Sequence, residues 1–262
     1  MTGSNGLIAA AFRGSGKRAA LQPYVMGGFP DLDASRRVGE ACIDAGADMI
    51  ELGVPFSDPL ADGPVIQAAG NAALRAGATT PGVLEVGRRL AERVPVIVMT
   101  YANLVLARGA ERFADDLAAN GLAGLIVPDL PLEESGPLRD ACDAAGVALV
   151  PLVAPTTPPE RLARIGAVAR GFVYTVSVTG TTGERAAMAD DLAGMLAAVK
   201  ATTDVPVALG FGIATGAQAA RAADAGAEGV IVGSRLVRAA AEADDPAAAV
   251  GPIVEELAAA LR

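Results

Sequence analysis

The chain has 262 residues, 52% of them hydrophobic, and a formal net charge of −9. This acidic balance argues against binding to nucleic acid, which needs clustered Lys and Arg, and against binding to an anionic membrane surface. No apolar stretch reaches the ~18 residues of a membrane span. The N-terminus lacks the charge order of a signal peptide, so the cytoplasm is the expected location.

The residue types that are missing or scarce narrow the possible chemistry. Without histidine there is no Ser-His-Asp triad and no His-ligated zinc. Cys42 and Cys142 stand in similar helical contexts and are interpreted as small buried residues, not as metal ligands or a disulfide. The two lysines, Lys17 and Lys200, lie in polar settings away from strand ends, which argues against an imine-forming nucleophile. Any catalysis must therefore use carboxylates, tyrosines, hydroxyls or backbone dipoles.

A helical stretch ending in glycine, followed by a short apolar run, recurs along the chain. Four glycines fit the left-handed residue that ends a helix: Gly46, Gly121, Gly146 and Gly226. The apolar runs are too short for buried helices and are interpreted as strands. In chain order the predicted strands are 21–27, 48–53, 95–101, 123–128, 147–152, 171–177, 206–210 and 228–232.

The order of these elements predicts an α/β fold. Strands that alternate with helices eight times favour a parallel sheet, and near-continuous apolar strands indicate burial on both faces. Eight such units match the length of a closed (β/α)₈ barrel, the TIM barrel. An open doubly wound sheet is the alternative, which the absence of GxGxxG after the first strand disfavours. Residues 4–14 are predicted to cap the barrel's bottom as an extra N-terminal helix, and residues 1–262 to form a single domain.

The stretch "ELGVPFSDPLADGP" begins where the second predicted strand ends. Strand side chains alternate, so Glu51 points away from its apolar neighbours and into the barrel, where burial would raise its pKa. A buried salt bridge to arginine is an equally good interpretation of Glu51 from these residues alone. Asp62, in "ADGP", also fits a turn, and Asp58 and Asp129 carry the same ambiguity.

Glycines cluster after the last three predicted strands. They are Gly180 and Gly183 after the sixth, Gly210 and Gly212 on either side of Phe211 after the seventh, and Gly233, followed by Ser234, after the eighth. Barrels of this class have their active sites, and often a phosphate site, at the carboxyl ends of their strands. Three glycine-rich turns at neighbouring strand ends therefore favour a phosphate site over ordinary turns.

The chain resembles the tryptophan synthase α-subunit family over nearly its whole length. The specific match is "ELGVPFSDPLADGPVIQ"; supporting segments in the expected order include "PYVMGGFP", "MTYANLV", "VPDLPLEES", "FVYTVSVTGTTGER", "GFGI" and "GVIVGSRLV". The resemblance implies cleavage of indole-3-glycerol phosphate to indole and glyceraldehyde 3-phosphate in tryptophan biosynthesis. It implies no cofactor in this chain, and an α₂β₂ assembly in which a pyridoxal-phosphate-dependent β subunit receives the indole through a tunnel.

The resemblance also assigns site residues. Glu51 matches the catalytic acid/base and Asp62 the second catalytic carboxylate. Tyr174 matches a pocket tyrosine near the reacting centre, and Thr182 the threonine of a closing loop. The positions that match the indole pocket are Tyr24, Met99 and Phe211, and those that match the phosphate site are Gly183, Gly212, Gly233 and Ser234.

Two departures from the family pattern are expected to alter loop packing rather than chemistry. The segment from Gly27 to Pro30 reads GGFP where the family usually has AGDP or AGYP, and Thr181 replaces a usual valine. A lyase that releases free indole without a β subunit, a phosphate-binding isomerase of the same pathway and a non-catalytic regulatory subunit remain alternatives. The spacing of Glu51 and Asp62 within one segment argues against the isomerase.

Overall fold

The computed structural model describes residues 4–176, 187–210 and 212–262. All its strands are parallel, and they are β1 Ala20–Met26, β2 Ile50–Gly53, β3 Val96–Met99, β4 Gly124–Ile126, β5 Ala148–Leu149, β6 Leu152–Val153, β7 Val173–Val176, β8 Val207–Gly210 and β9 Gly229–Val232. The helices in the described ranges are α1 Ser4–Gly14, α2 Leu32–Asp44, α3 Pro64–Arg75, α4 Thr80–Ala91, α5 Ala102–Arg108, α6 Ala110–Ala119, α7 Gly136–Ala145, α8 Pro159–Val168, α9 Ala187–Lys200, α10 Gly216–Asp224, α11 Ser234–Glu242 and α12 Pro246–Ala260.

The strand order is that of a (β/α)₈ barrel. The order β5-β4-β3-β2-β1-β9-β8-β7-β6 pairs the first strand with the last, which an open doubly wound sheet does not do. The two ends of this order, β5 and β6, are consecutive in the chain and are halves of one predicted strand. Across the join, the Val150 N–H donates to the Leu125 carbonyl and the Tyr174 N–H donates to the Pro151 carbonyl. The fifth strand therefore closes the ring.

The predicted strand 147–152 is interrupted because proline lacks an N–H. Pro151 cannot donate a ladder hydrogen bond, so regular pairing stops on both sides of it. The predicted strand 95–101 is likewise too long, since β3 ends at Met99 and Tyr101 already precedes α5. The four predicted helix-ending glycines, Gly46, Gly121, Gly146 and Gly226, all have positive φ.

The core has two layers that follow from strand alternation. One layer packs strand residues such as Ile50 and Leu52 against the surrounding helices, and the other fills the barrel interior with residues such as Ile97 and Phe172. Cys42 and Cys142 are buried free thiols, as predicted.

Helix α1 closes the amino-terminal end of the barrel, as the sequence predicts. Ile8 is fully buried, and the Phe12 ring lies 5.7 Å from that of Phe172, centroid to centroid. Gly171, just before β7, has a φ of +68°, and a Cβ built there would lie 3.0 Å from the Ile8 side chain. The floor beneath the interior is therefore apolar and tightly packed.

Candidate active site

Glu51 lies inside the barrel near the carboxyl end of β2 and is only 1% exposed. Its strand partner on β1 is Tyr24, and from the same strand Gln22 Nε2 donates to Glu51 Oε2 at 3.2 Å. Burial raises the pKa of Glu51 to about 8; the Gln22 hydrogen bond opposes this shift and the Asp62 charge adds to it. Glu51 is therefore largely protonated at neutral pH. Among the described residues its partner is this amide, not the arginine of the salt-bridge interpretation.

Asp62 lies in the loop that joins β2 to α3 and is half-buried. Desolvation raises its pKa to about 6, and a hydrogen bond with Tyr101 opposes the rise. Asp62 is therefore mostly ionised at neutral pH, whereas Glu51 is mostly neutral. Since the Asp62 charge raises the pKa of Glu51, the two carboxyls are close enough to interact.

The Asp62 loop is held by side chains that the sequence analysis did not assign. The Tyr101 hydroxyl accepts from the Ala61 N–H at 3.1 Å, and the Tyr101 ring stacks on Phe56 with a 5.4 Å centroid separation. Gln67, in α3, donates to the Asp62 carbonyl at 2.8 Å. Tyr101 is itself buried, so one wall of the loop is rigid.

Two buried tyrosines, Tyr24 and Tyr174, share the interior with the two carboxyls. Burial raises the pKa of each phenol, and the charges of Glu51 and Asp62 raise it further, so both rings lie near both acids. A Cβ at Gly53 would overlap the Tyr24 hydroxyl. The glycine at the end of β2 is therefore what makes room for that ring.

Of the two remaining residues that the resemblance assigns to the indole pocket, one lies within the described ranges. Met99, at the end of β3, is partly buried and packs both on the interior layer and on the cluster that contains Tyr24. Phe211, Thr182 and Gly183 lie outside the described residues, as does Thr181.

Two of the three glycine-rich turns that follow strands include residues that the structure describes. Gly212 follows β8, is exposed and has a φ of +78°. Gly233 follows β9 and precedes α11, whose first residue is the exposed Ser234. A Cβ at Gly233 would lie 3.4 Å from Tyr24 Cβ, so this helix start adjoins the tyrosine pocket. The N-terminus of α11 presents unpaired N–H groups that can bind an anion.

The remaining candidate carboxylates lie at the edge of this arrangement. Asp129 Oδ1 accepts from the Ala102 N–H at 2.9 Å, at the first turn of α5, which favours the structural interpretation of this residue. Asp58 is exposed and accepts from the Ser57 hydroxyl at 2.5 Å.

Besides Phe56 and Gln67, the residues at the site that were not singled out from sequence include Gln22, Tyr101 and Gly53. Gln22 could have been found, because it is a polar residue on an otherwise apolar strand, two positions before Tyr24 and thus on the same face. Tyr101 was included in a predicted strand, which hid its position beside the Asp62 loop. The contact between Gly53 and Tyr24 joins two strands and has no local signal.

The two lysines lie away from this site. Lys17 Nζ is 2.8 Å from Asp48 Oδ1, in a nearly buried ion pair just before the start of β2. Lys200 is 3.6 Å from Glu228, at the start of β9. Within the described ranges no group of His, Cys, Asp and Glu has a metal-binding arrangement. None of the helices in those ranges has the length and apolarity to cross a membrane.

Comparison with known proteins gives a consistent result. The family model described as "Tryptophan synthase alpha chain" matches residues 11–260. The tryptophan synthase alpha chain of Prochlorococcus marinus (strain MIT 9313) is 50% identical over 241 residues, which cover 91% of this chain and 86% of the relative. That of Methanosarcina mazei is 48% identical over 231 residues, covering 87% and 84% respectively.

Solved structures agree with the sequence comparisons. A tryptophan synthase structure from Mycobacterium tuberculosis has a TM-score of 0.90 and 40% identity, covering 100% of this chain and 99% of the other. The alpha subunit from Legionella pneumophila also has a TM-score of 0.90, at 32% identity and the same coverage. These neighbours share the barrel over the full length of both chains.

Proposed function

Because this chain belongs to the tryptophan synthase alpha chain family, we propose that Glu51 and Asp62 together carry out the family reaction. The chain is a lyase of tryptophan biosynthesis that cleaves indole-3-glycerol phosphate to indole and glyceraldehyde 3-phosphate. The observation that carries the assignment of residues is the pair of neighbouring carboxyls with different pKa values, about 8 for Glu51 and about 6 for Asp62. At neutral pH one can donate a proton while the other carries a charge.

The electrons of the broken carbon–carbon bond need an acceptor, and the indole ring can provide it. Protonated Glu51 gives its proton to C3 of indole, which produces an indoleninium cation. The side-chain hydroxyl then loses its proton to the Glu51 carboxylate and becomes the aldehyde of glyceraldehyde 3-phosphate. As the bond between C3 and that carbon breaks, its electron pair returns to the ring and indole forms. No lysine imine is required, which agrees with the distant ion pairs of Lys17 and Lys200.

Asp62 stabilises the positive charge that develops on the ring. Its carboxylate accepts a hydrogen bond from the indole N–H, and the low-dielectric surroundings strengthen that interaction. Tyr101 and Gln67 hold the loop so that the carboxylate is already oriented when substrate binds. A preoriented charge avoids much of the reorganisation that water would undergo.

The remaining assigned residues orient the substrate. Tyr24, Tyr174 and Met99 form the described walls around the indole ring, and the family resemblance adds Phe211 to this pocket. The phosphate binds at Gly212, Gly233 and Ser234 among the described residues, and the resemblance assigns Gly183 to the same site and Thr182 to the closing loop. The N-terminus of α11 supplies N–H groups and a favourable dipole for that phosphate. Anchoring the phosphate fixes the reacting carbon relative to Glu51.

The family partner is a β subunit, and the finer assembly is part of this proposal. The chain acts as one domain, residues 1–262, in a cytoplasmic α₂β₂ tetramer, with pyridoxal phosphate bound by the β subunit only. The loop between the two catalytic carboxyls meets that subunit, so that partner binding positions Asp62. The exposure of Asp58 and Leu60 on this loop supports the contact. If Asp58→Ala left activation of cleavage by a β subunit unchanged, the contact would be refuted.

The direct test follows indole release from indole-3-glycerol phosphate, with and without a β subunit. Glu51→Gln, which mimics the neutral carboxyl without its acidity, should reduce the rate by about 10²–10⁴-fold or abolish it. Asp62→Asn should reduce it severely. Glu111→Gln, at an exposed carboxyl in the first turn of α6, is the matched control and should retain the wild-type rate. A Glu51→Gln enzyme that released indole at a near wild-type rate would overturn the assignment.

A further inference from the structure

Gln22 has a position that the catalytic pair alone does not explain. It is 1% exposed and lies on β1 opposite Ile231 of β9, just above the apolar floor of the barrel. A buried amide needs hydrogen-bond partners to offset its desolvation. Gln22 Nε2 has such a partner in Glu51 Oε2 at 3.2 Å, whereas Gln22 Oε1 has none among the residues that the structure describes. An apolar side chain at this position would avoid the unpartnered oxygen, so a function for the amide is indicated.

We propose that Gln22 is a positioning residue that holds Glu51 in one orientation while its carboxyl loses and regains a proton. This rests on the proposed role of Glu51 as the proton donor. An amide suits this task because it has a donor and an acceptor on neighbouring atoms. With Nε2 toward Glu51, the amide donates to the carboxylate. After a half-turn about its terminal bond, Oε1 faces Glu51 and accepts from the protonated carboxyl.

The unpartnered Oε1 is therefore the atom needed when Glu51 carries its proton. In either protonation state the carboxyl keeps one hydrogen bond to the same side chain, so its orientation does not depend on substrate. The amide is neutral and contributes no charge. The titratable groups that face Glu51 from the described elements are Asp62 in the following loop, Tyr24 on β1 and Tyr174 on β7, while β3 contributes the uncharged Ile97 and Met99.

The test uses Gln22→Met, which keeps the unbranched length and removes both hydrogen-bonding atoms. Both protonation states of Glu51 lose a hydrogen bond, but the bond to the carboxylate is charge-assisted and the stronger of the two. The high-pH limb of the kcat profile should therefore move upward by about one pH unit. At its optimum kcat should fall by about tenfold or more, with KM within about threefold of wild type. Thr175→Val is the matched control. Thr175 is fully buried in β7, its hydroxyl also lacks a partner within the described part of the chain, and it adjoins Tyr174 on the opposite side of the strand.

A second measurement keeps the proposal testable if Gln22→Met does not fold. Infrared difference spectra of the wild-type enzyme between pH 6 and pH 10 should contain the C=O band of a protonated, hydrogen-bonded carboxyl that is missing in Glu51→Gln. A band at the position of a carboxyl without hydrogen bonds would overturn the role of Gln22. So would a Gln22→Met enzyme with wild-type kcat and an unshifted profile. If instead Glu51→Gln remained active, the proton-donor assignment itself would fail, which is a separate outcome.

Discussion

The raised pKa of Glu51 has a consequence for folding that can be measured without substrate. An ordinary glutamate has a pKa of 4.5, and burial raises that of Glu51 to about 8. The folded state therefore binds a proton that the unfolded chain releases between these pH values. The stability that this group contributes is fully present below about pH 4.5 and is lost progressively as pH rises to about 8.

The size of the effect follows from the two pKa values. Each pKa unit corresponds to about 1.4 kcal/mol, so the full difference is about 5 kcal/mol as an upper limit, since water entry and local relaxation reduce it. The substitution Glu51→Gln removes the titration but keeps the size of the side chain and the possibility of a hydrogen bond to Gln22. We expect the variant to be more stable than wild type by several kcal/mol at pH 9, and about as stable at pH 5.

Urea unfolding at pH 5, 7 and 9 measures this difference, with far-UV circular dichroism as the readout for both proteins. The quantity compared is the free energy of unfolding of the variant minus that of wild type at each pH. Asp58→Asn, at an exposed carboxyl of the same segment, serves as the control and should show no such trend. A difference that stays constant from pH 5 to pH 9 would show that Glu51 titrates normally, and the reasoning from its burial would be wrong.

Two further predictions concern activity. In the proposed mechanism cleavage needs ionised Asp62 and protonated Glu51, so kcat should be bell-shaped with a maximum near pH 7, falling about tenfold by pH 5 and by pH 9. Asp62→Asn should remove the low-pH limb from the residual rate, and a flat wild-type profile would contradict the assignment. Gly53→Ala would place a Cβ 2.6 Å from Tyr24 Cζ, so we expect it to raise KM or lower stability by about 1–3 kcal/mol, as tested by steady-state kinetics and urea unfolding.

The control for the glycine substitution is Gly194→Ala. Gly194 is exposed within α9, where a Cβ would meet nothing within 4 Å. Alanine there should stabilise the protein by about 0.5–1 kcal/mol, because it lowers the entropy of the unfolded chain, and should leave kinetics unchanged. Equal effects of the two alanines would mean that the space beside Tyr24 is not limiting.

The fold was predictable because each unit carries its own local signals. Positive-φ glycines such as Gly46 end helices, and apolar runs such as that before Glu51 begin strands, so the eight-fold alternation can be read along the chain. The ends of the strands were less predictable, since they depend on contacts with residues that are distant in the sequence. Tyr101 belongs to an apolar run by composition, yet its hydroxyl accepts from Ala61, forty residues earlier, and the strand has already ended.

The site was predictable only in part for a related reason. Alternation along β2 was enough to point Glu51 into the barrel, but its environment is set by β1. Whether an interior carboxyl meets an arginine or the amide of Gln22 depends on which strands are adjacent and in what register. The sequence alone therefore did not distinguish a carboxyl in the barrel interior from a buried salt bridge to arginine. The pairing of β1 with β2 shows that the partner is Gln22.

The closed floor beneath the interior limits where substrate can enter the barrel and where products can leave it. Ile8 and Phe12 fill the end where the strands begin, so the described part of the barrel is a cup rather than a tube. In the described residues the end opposite this floor is the rim that holds Glu51 and Asp62, so substrate and products are expected to pass that rim. Blocking it should therefore slow substrate entry and product release alike.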